Sequence, residues 1–247
     1  MIARKIHYCW FGGRPLPLQA RRCLASWAYH LPDYDVVRWD ESNFDAAHHP
    51  FTSAAYAAGS YAFVSDYARM SVLQAHGGIY LDVDVEVCGR FDALLDLDLF
   101  IGLEDRQRFA TSIIGVTAEH WLPSLMLEYY ERTPFNEAAL SELVNVNEVS
   151  RLLLAQGFSG SGEDERRGTE QVLAIGRLSD ARGQAPGTIR PLARHLYAGS
   201  WRKRKGKSPL SNAWRALRKL PERLAAIAGL YAYRLGAVWR KLTHWLG

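Results

Sequence analysis

A helix pattern, a glycine pair and a short apolar run follow one another without a break between residues 63 and 87. The Gly77-Gly78 pair predicts the end of the helix, because glycine adopts the backbone conformations that close a helix C-terminus. The run "IYLDVDVEV" predicts a strand directly after it. A helix that passes this abruptly into an apolar strand is typical of an α/β chain. The helix pattern rests on apolar positions spaced four, three and three apart: Phe63, Tyr67, Met70 and Leu73.

Two aspartates, Asp82 and Asp84, lie at the end of that apolar run. Side chains two apart in a strand share a face, so we expect both carboxylates on one side. Two neighbouring carboxylates on one face repel each other. A divalent cation bound between them is the simplest way to offset this repulsion. An isolated Asp-x-Asp is also typical of solvated strand-end residues, so the surrounding sequence has to decide.

Strand and helix patterns alternate through the first 201 residues. The opening "KIHYCWFG", "PLQARRCLASWAYH" and "YDVVRW" predicts strand, helix and strand. We expect one continuous helix over "SAAYAAGSYAFVSDYARMSVLQAHGG", two strands in "LFIGLE" and "TSIIGV", a helix over "LPSLMLEYYE", and a polar loop at residues 159–168. With 247 residues, 48% of them hydrophobic, the chain can bury the core of one domain.

The distribution of charge divides the chain at residue 201. Residues 202–247 contain twelve lysines and arginines against Glu222 alone, a net charge of +11, whereas the first 201 residues contain eighteen against twenty-five acids, a net charge of −7. We therefore expect a domain at 1–201 and a basic tail at 202–247. Three scattered cysteines and no visible secretory signal favour the cytoplasm.

The basic tail contains an amphipathic pattern. Its longest uncharged run, Leu224 to Tyr233, is ten residues, too short to cross about 30 Å of hydrocarbon. Interfacial tryptophans and the cluster "RKRKGK" favour a helix that lies on an anionic membrane surface. A helix packed on its own domain or on a partner subunit is the alternative, and nucleic acid is not expected. The apolar stripe comprises Leu224, Ile227, Tyr231, Leu235, Val238, Leu242 and Trp245.

The stretch "FVSDYARMSVLQAHGGIYLDVDVE" resembles the family-32 glycosyltransferases that carry a DXD sugar-binding motif, and "KIHYCWFGG" and "HLYAGSW" extend the resemblance in the right order. This group includes yeast-type mannosyltransferases and many bacterial capsule and lipopolysaccharide enzymes, and it is related to glucosylating toxins. The resemblance implies a GT-A fold, a Rossmann-like α/β nucleotide-sugar-binding domain. It also implies a nucleotide diphosphate sugar donor, UDP-sugar favoured over GDP-sugar, and Mn²⁺ or Mg²⁺ as cofactor.

The resemblance also implies roles for individual residues. Trp10 would stack on the nucleotide base, Asp66 and Arg69 would hold the donor sugar and phosphate, and Asp82 would contact ribose and sugar. Asp84 would bind the metal directly. Tyr80 shares the face of the two aspartates and is expected to line the donor pocket.

A lid is implied at the end of the resemblance, where Ser200 and Trp201 would close over metal and diphosphate. Ser200 is expected to bind the metal as well. Relatives often have two adjacent histidines at the start of this block, whereas here His195 precedes Leu196, so a role for His195 stays open. Glu86 lies further along the run and is expected to be solvated.

The resemblance therefore implies transfer of a sugar, with retained configuration, to a hydroxyl of a glycan or lipid-linked acceptor in surface polysaccharide synthesis. Catalysis would depend on Asp82, Asp84 and Arg69 with the metal. The enzyme would act in the cytoplasm, on the inner face of the cell membrane. Two alternatives stay open: a haloacid-dehalogenase-like phosphohydrolase that uses Asp82 and Asp84, and a catalytically dead membrane-binding protein.

Overall fold

The structure is a computed structural model that describes residues 1–178, 190–197 and 220–245. Within these ranges the chain forms six α-helices and nine strands, with short 3-10 helices at Asp92–Leu94 and Glu137–Ala139. In chain order the elements are β1 (Lys5–Cys9), α1 (Leu18–His30), β2 (Asp35–Trp39), α2 (Pro50–Ala57), α3 (Tyr61–His76), β3 (Gly78–Leu81), β4 (Val85–Val87), β5 (Leu99–Asp105), β6 (Arg108–Val116), α4 (Trp121–Arg132), α5 (Asn145–Ala155), β7 (Glu165–Arg167), β8 (Glu170–Leu173), β9 (Ala193–His195) and α6 (Leu220–Trp245).

Seven strands form a mixed sheet in the order β2-β1-β3-β6-β5-β8-β7. The neighbours β2, β1 and β3 run parallel, as do β5 and β8, while β6 runs antiparallel to β3 and β5. Strands β4 and β9 form a separate antiparallel pair. The parallel half of the large sheet is the part built from the predicted strand-helix-strand opening.

Apolar side chains alternate between the two faces of the sheet, as the two-residue period of a strand requires. Tyr80 of β3 faces a core that includes Val64 of α3 and Met126 of α4. Ile79 and Leu81 face the opposite core, which includes Trp27 of α1. Helices therefore cover both faces, as expected for the predicted α/β class.

Three local predictions need correction. The predicted long helix before β3 is two helices, α2 and α3, because Gly59 between them has a φ of +66°. The predicted loop at 159–168 includes β7, and helix α5 was not predicted. Asp82 and Asp84 do not lie in one strand: β3 ends before Asp82, and a turn closed by Val85 N–H and the Asp82 carbonyl (3.0 Å) leads into β4.

Helix α6 packs along α1. Its buried side includes Ala226 and Leu230, and Gly236 lies so close to Tyr29 that an added Cβ would be 2.5 Å from that ring. The opposite side exposes large apolar side chains, namely Leu224, Ile227, Tyr231, Leu235, Val238 and Trp239. The described part of the predicted apolar stripe is therefore the exposed side of α6. Among the described residues, none of the helices is long and apolar enough to cross a membrane.

Candidate active site

The site lies at the carboxyl end of the parallel strands. Strand β1 pairs with β3 in a register that sets Ile6 opposite Ile79 and His7 opposite Tyr80. The residues that follow both strands therefore emerge at one edge of the sheet: Trp10 after β1 and Asp82 after β3. Ligands of open α/β sheets bind at this edge, outside the carboxyl ends of the strands.

A third candidate ligand reaches this edge on β9. Strand β9 pairs with β4 so that Val85 lies opposite His195, and Leu196 N–H donates to the Asp84 carbonyl at 2.9 Å. This pairing places His195 Nε2 3.3 Å from Asp84 Oδ1. One ligand atom each of Asp82, Asp84 and His195 can be chosen such that all three lie within 4.8 Å of one another. The structure thus places His195 beside the two aspartates, whereas the sequence left the role of His195 open.

The donor set of this cluster fits a divalent cation. Two carboxylates and one imidazole suit Mn²⁺, and the carboxylates also suit Mg²⁺. Burial lowers the pKa of His195, but the hydrogen bond and charge of Asp84, together with Asp82, outweigh it, and the net pKa is raised. His195 Nδ1 is buried and has no hydrogen-bond partner among the described residues. The cluster therefore stabilises a positive charge. A bound cation would compete with the proton for the His195 imidazole.

Arg69 of α3 connects the two acidic positions. Its Nη2 lies 2.9 Å from Asp66 Oδ1 and 3.1 Å from Asp82 Oδ1, and its Nη1 donates to the Thr111 carbonyl at 2.7 Å. Its guanidinium also lies 4.4 Å from the centre of the Tyr80 ring. Arg69 is only 4% exposed, so the Asp66–Arg69 pair is not a surface ion pair.

Tyr80 lies beneath the site and contacts the first aspartate. Its hydroxyl donates to Asp82 Oδ1 at 3.0 Å, and the residue is buried. Burial raises the pKa of Asp82, while the charge of Arg69 opposes the shift. The side chain is therefore a buried support for Asp82, and its place in the lining of a donor pocket stays a prediction.

Asn145, at the start of α5, is a site residue that the sequence analysis did not identify. Its Nδ2 donates to Asp66 Oδ1 at 3.0 Å, and Thr111 Oγ1 donates to its Oδ1 at 2.9 Å. Burial raises the pKa of Asp66 to about 6, and Arg69 opposes the shift. Asn145 is 63 positions from Asp82 in a helix that was not predicted, so no local pattern pointed to it.

The remaining predicted residues divide into three groups. Trp10 is half-buried, and its indole N–H donates to the Arg14 carbonyl. Ser200 and Trp201 lie outside the described residues. Glu86, expected to be solvated, is instead buried, because Arg22 of α1 and Tyr233 of α6 bind its carboxylate.

Residues 17–101 match a family model described as a glycosyltransferase sugar-binding region containing the DXD motif. The matched region includes Asp66, Arg69, Asp82 and Asp84. Residues 17–101 therefore contain a glycosyltransferase sugar-binding region of the DXD type, and the α/β domain shares its fold with a glycosyltransferase, the GT-A fold. The phosphohydrolase alternative is not favoured.

Several solved structures are similar to this chain. The PaToxG glycosyltransferase is 19% identical over 63% of this chain and 70% of that chain, with a TM-score of 0.50, which shows a shared fold. The glycosyltransferase GlyE of Streptococcus pneumoniae TIGR4 is 12% identical over 86% of this chain and 60% of that chain, with a TM-score of 0.44. A glycosyltransferase involved in glycosylation of the major capsid of PBCV-1 is 13% identical over 78% and 93%, with a TM-score of 0.43. No curated protein sequence matches the chain.

Proposed function

We propose that this glycosyltransferase is metal-dependent and moves a sugar from a nucleotide diphosphate donor to an acceptor hydroxyl with retention of configuration. The observation that carries the proposal is the cluster of Asp82, Asp84 and His195 at the carboxyl edge of the sheet. Mn²⁺ or Mg²⁺ held there would neutralise the charge that develops on the departing diphosphate. We favour a UDP-sugar over a GDP-sugar as donor.

The residues around the cluster would bind and orient the donor. Asp84 and His195 would hold the cation, with Ser200 as a further ligand, while Asp82 would contact the ribose and sugar. Asp66 would accept hydrogen bonds from sugar hydroxyls, and Arg69 would keep both carboxylates in place. Trp10 would stack on the base, and Trp201 would close the site against water.

Front-face transfer accounts for retention without a covalent sugar-enzyme intermediate. Asp66 and Asp82 each lie against Arg69, and Asp84 lies against His195. A carboxylate held by a cation is a poor nucleophile, because its charge is already neutralised. The departing phosphate would instead accept the proton of the acceptor hydroxyl, and the protein would contribute positioning and electrostatic stabilisation.

The acceptor is proposed to be a glycan or lipid-linked glycan in capsule or lipopolysaccharide synthesis, at the inner face of the cell membrane. The exposed apolar side of α6 supports this part of the proposal, because it is turned away from the domain and basic residues accompany it. A helix of this kind binds an anionic membrane surface through apolar burial and charge together. Peripheral binding would concentrate the enzyme where a lipid-linked acceptor lies.

The experiment is a ligand screen on the purified full-length protein. UDP-sugars and GDP-sugars are tested for stabilisation against heat, with Mn²⁺, with Mg²⁺ and with a chelator, and hydrolysis of each stabilising donor is then measured. We expect one donor to raise the Tm only when the metal is present, because a ligand stabilises the state that it binds. Donor hydrolysis that continues unchanged in the chelator would refute the metal-dependent mechanism.

A further inference from the structure

Two of the three residues of the candidate metal site, Asp84 and His195, lie outside the seven-stranded sheet. Asp82 directly follows β3 of the seven-stranded sheet, whereas Asp84 directly precedes β4 and His195 is the last residue of β9, in the separate β4–β9 pair. The three ligand atoms can meet only if the β4–β9 pair is held correctly against the sheet. Whatever fixes β4 therefore fixes the geometry of the metal site.

Helix α1 holds the backbone of β4. The indole N–H of Trp27 donates to the Val85 carbonyl at 2.8 Å, and Val87 N–H donates to Ser26 Oγ at 2.9 Å. Ser26 Oγ in turn donates to the Cys23 carbonyl at 2.6 Å, which fixes its orientation. These bonds attach β4 at two points, both on the side of Asp84 that leads away from the main sheet.

Glu86 adds a side-chain attachment between these points. Its carboxylate is 3% exposed, and its Oε1 accepts from Arg22 Nη2 at 2.6 Å, from Arg22 Nε at 3.1 Å and from the Tyr233 hydroxyl at 3.0 Å. A buried carboxylate is costly unless charged and polar partners satisfy it, so Glu86 has a strong preference for this position. Glu86 lies two residues from Asp84, which makes its position and that of the ligand interdependent.

Tyr233 brings the C-terminal helix into this arrangement. It lies on the α1 side of α6, where its ring is 5.6 Å from the ring of Tyr29 and 6.0 Å from that of His30. It therefore contributes to Glu86 only while α6 is packed on α1. The exposed side of α6 remains available to a membrane surface in this position.

We infer that Glu86 and Tyr233 are positioning residues for the metal site, and that docking of α6 on α1 increases the affinity of the cluster for its cation. The inference rests on the proposed metal site. It assigns the C-terminal helix a role in the transferase domain in addition to the proposed membrane binding.

The test measures Mn²⁺ binding to the full-length protein by electron paramagnetic resonance, without donor. In the Tyr233→Phe variant we expect at least threefold weaker Mn²⁺ binding, because the ring packing is kept and only the hydroxyl bond to Glu86 is lost. Tyr231→Phe is the matched control, since Tyr231 lies two residues away on α6 and is 60% exposed. In donor hydrolysis, Tyr233→Phe should require at least threefold more Mn²⁺ than the wild type for a half-maximal rate.

A second variant separates positioning from general stability. Gly236→Val places side-chain atoms against Tyr29 and should lift α6 from α1, with the same direction of change in Mn²⁺ affinity. Unchanged Mn²⁺ affinity in both Tyr233→Phe and Gly236→Val would overturn the inference while leaving the metal site intact. Absence of Mn²⁺ binding in the wild-type protein would instead refute the proposed metal site, and this inference with it.

Discussion

Asp84 is the residue whose removal tests the metal site most directly. Its carboxylate lies 3.3 Å from His195 Nε2, and it raises the pKa of that imidazole against the effect of burial. It also directly precedes β4, whose partner strand β9 ends at His195. A cation bound at this site would depend on this side chain.

We predict that Asp84→Asn weakens Mn²⁺ binding by at least about 10-fold, because an amide oxygen replaces a charged ligand. The pKa of His195 should fall in the same variant, since the largest contribution that opposes the effect of burial, the hydrogen bond and charge of Asp84, is removed. Calorimetric titration with Mn²⁺ and NMR titration of the imidazole measure the two effects. Asp96→Asn is the control, because Asp96 is exposed. Equal Mn²⁺ affinity of the two variants would contradict the assignment of Asp84.

Asp66 predicts a pH dependence of stability. Its pKa of about 6 in the folded protein lies above its ordinary value of 3.8, chiefly because of burial. The folded state therefore binds more protons than the unfolded state in this interval, and stability falls as the pH rises through it. A shift of this size corresponds to up to about 3 kcal/mol.

We therefore predict that the free energy of unfolding falls less between pH 4 and pH 7 in Asp66→Asn than in the wild type. The amide keeps the shape of the side chain and an oxygen that can accept from Asn145. Urea unfolding at several pH values measures the free energy of unfolding of both proteins. The contributions of other titrating groups cancel when the values of the two proteins are subtracted. Parallel pH curves for the two proteins would show that Asp66 does not titrate in this range.

At the level of secondary structure, periodic patterns predicted the elements that form the carboxyl edge of the sheet, where the candidate site lies. The strand over "KIHYCWFG", the helix after it and the helix that contains Asp66 and Arg69 are present as β1, α1 and α3. These segments combine a clear period with local signals for their ends, so their own sequence is sufficient. The family resemblance added the meaning of the aspartates, which an isolated Asp-x-Asp does not provide.

Other parts of the site depend on contacts between distant segments. His195 reaches Asp84 through pairing of a three-residue strand, and Asn145 reaches Asp66 from α5, 79 positions further along the chain. Neither contact follows from periodicity, because each depends on how the whole chain packs. Glu86 was expected to be solvated for the same reason, since the helices that cover it are distant in sequence.

The exposed side of α6 predicts how the helix binds a membrane. Leu235 is 69% exposed, so Leu235→Glu should not disturb the domain, but it would place a charge in the proposed lipid-facing surface. We predict that this variant binds anionic vesicles at least about 5-fold more weakly with an unchanged Tm, because it loses apolar burial and adds a negative charge that the anionic surface repels. Co-sedimentation with vesicles measures the binding.

Leu154→Glu is the matched control for this prediction, since Leu154 is an exposed leucine on α5, in the domain. It should bind vesicles almost as the wild type does. If Leu235→Glu also binds as the wild type does, the exposed side of α6 does not contact lipid.

At the level of the whole molecule, the separation of charge is the property that matters for a membrane. The chain has a net charge of +4, but residues 202–247 carry +11 and the remainder carries −7. An anionic surface would attract the tail and repel the domain, which gives the bound protein a preferred orientation. Each basic residue near such a surface contributes about 1 kcal/mol.

We predict that the intact protein binds anionic vesicles at low salt, ignores neutral ones, and dissociates as the salt concentration approaches about 0.5 M, because salt screens exposed charges. Arg234→Glu, on α6, should weaken binding more than Arg106→Glu, an exposed site on the domain with the same change of charge. These substitutions are more informative than truncation after Trp201, which would also remove Tyr233 from Glu86 and uncover α1. Equal losses from the two variants would mean that net charge alone governs binding and that α6 has no special contact with the surface.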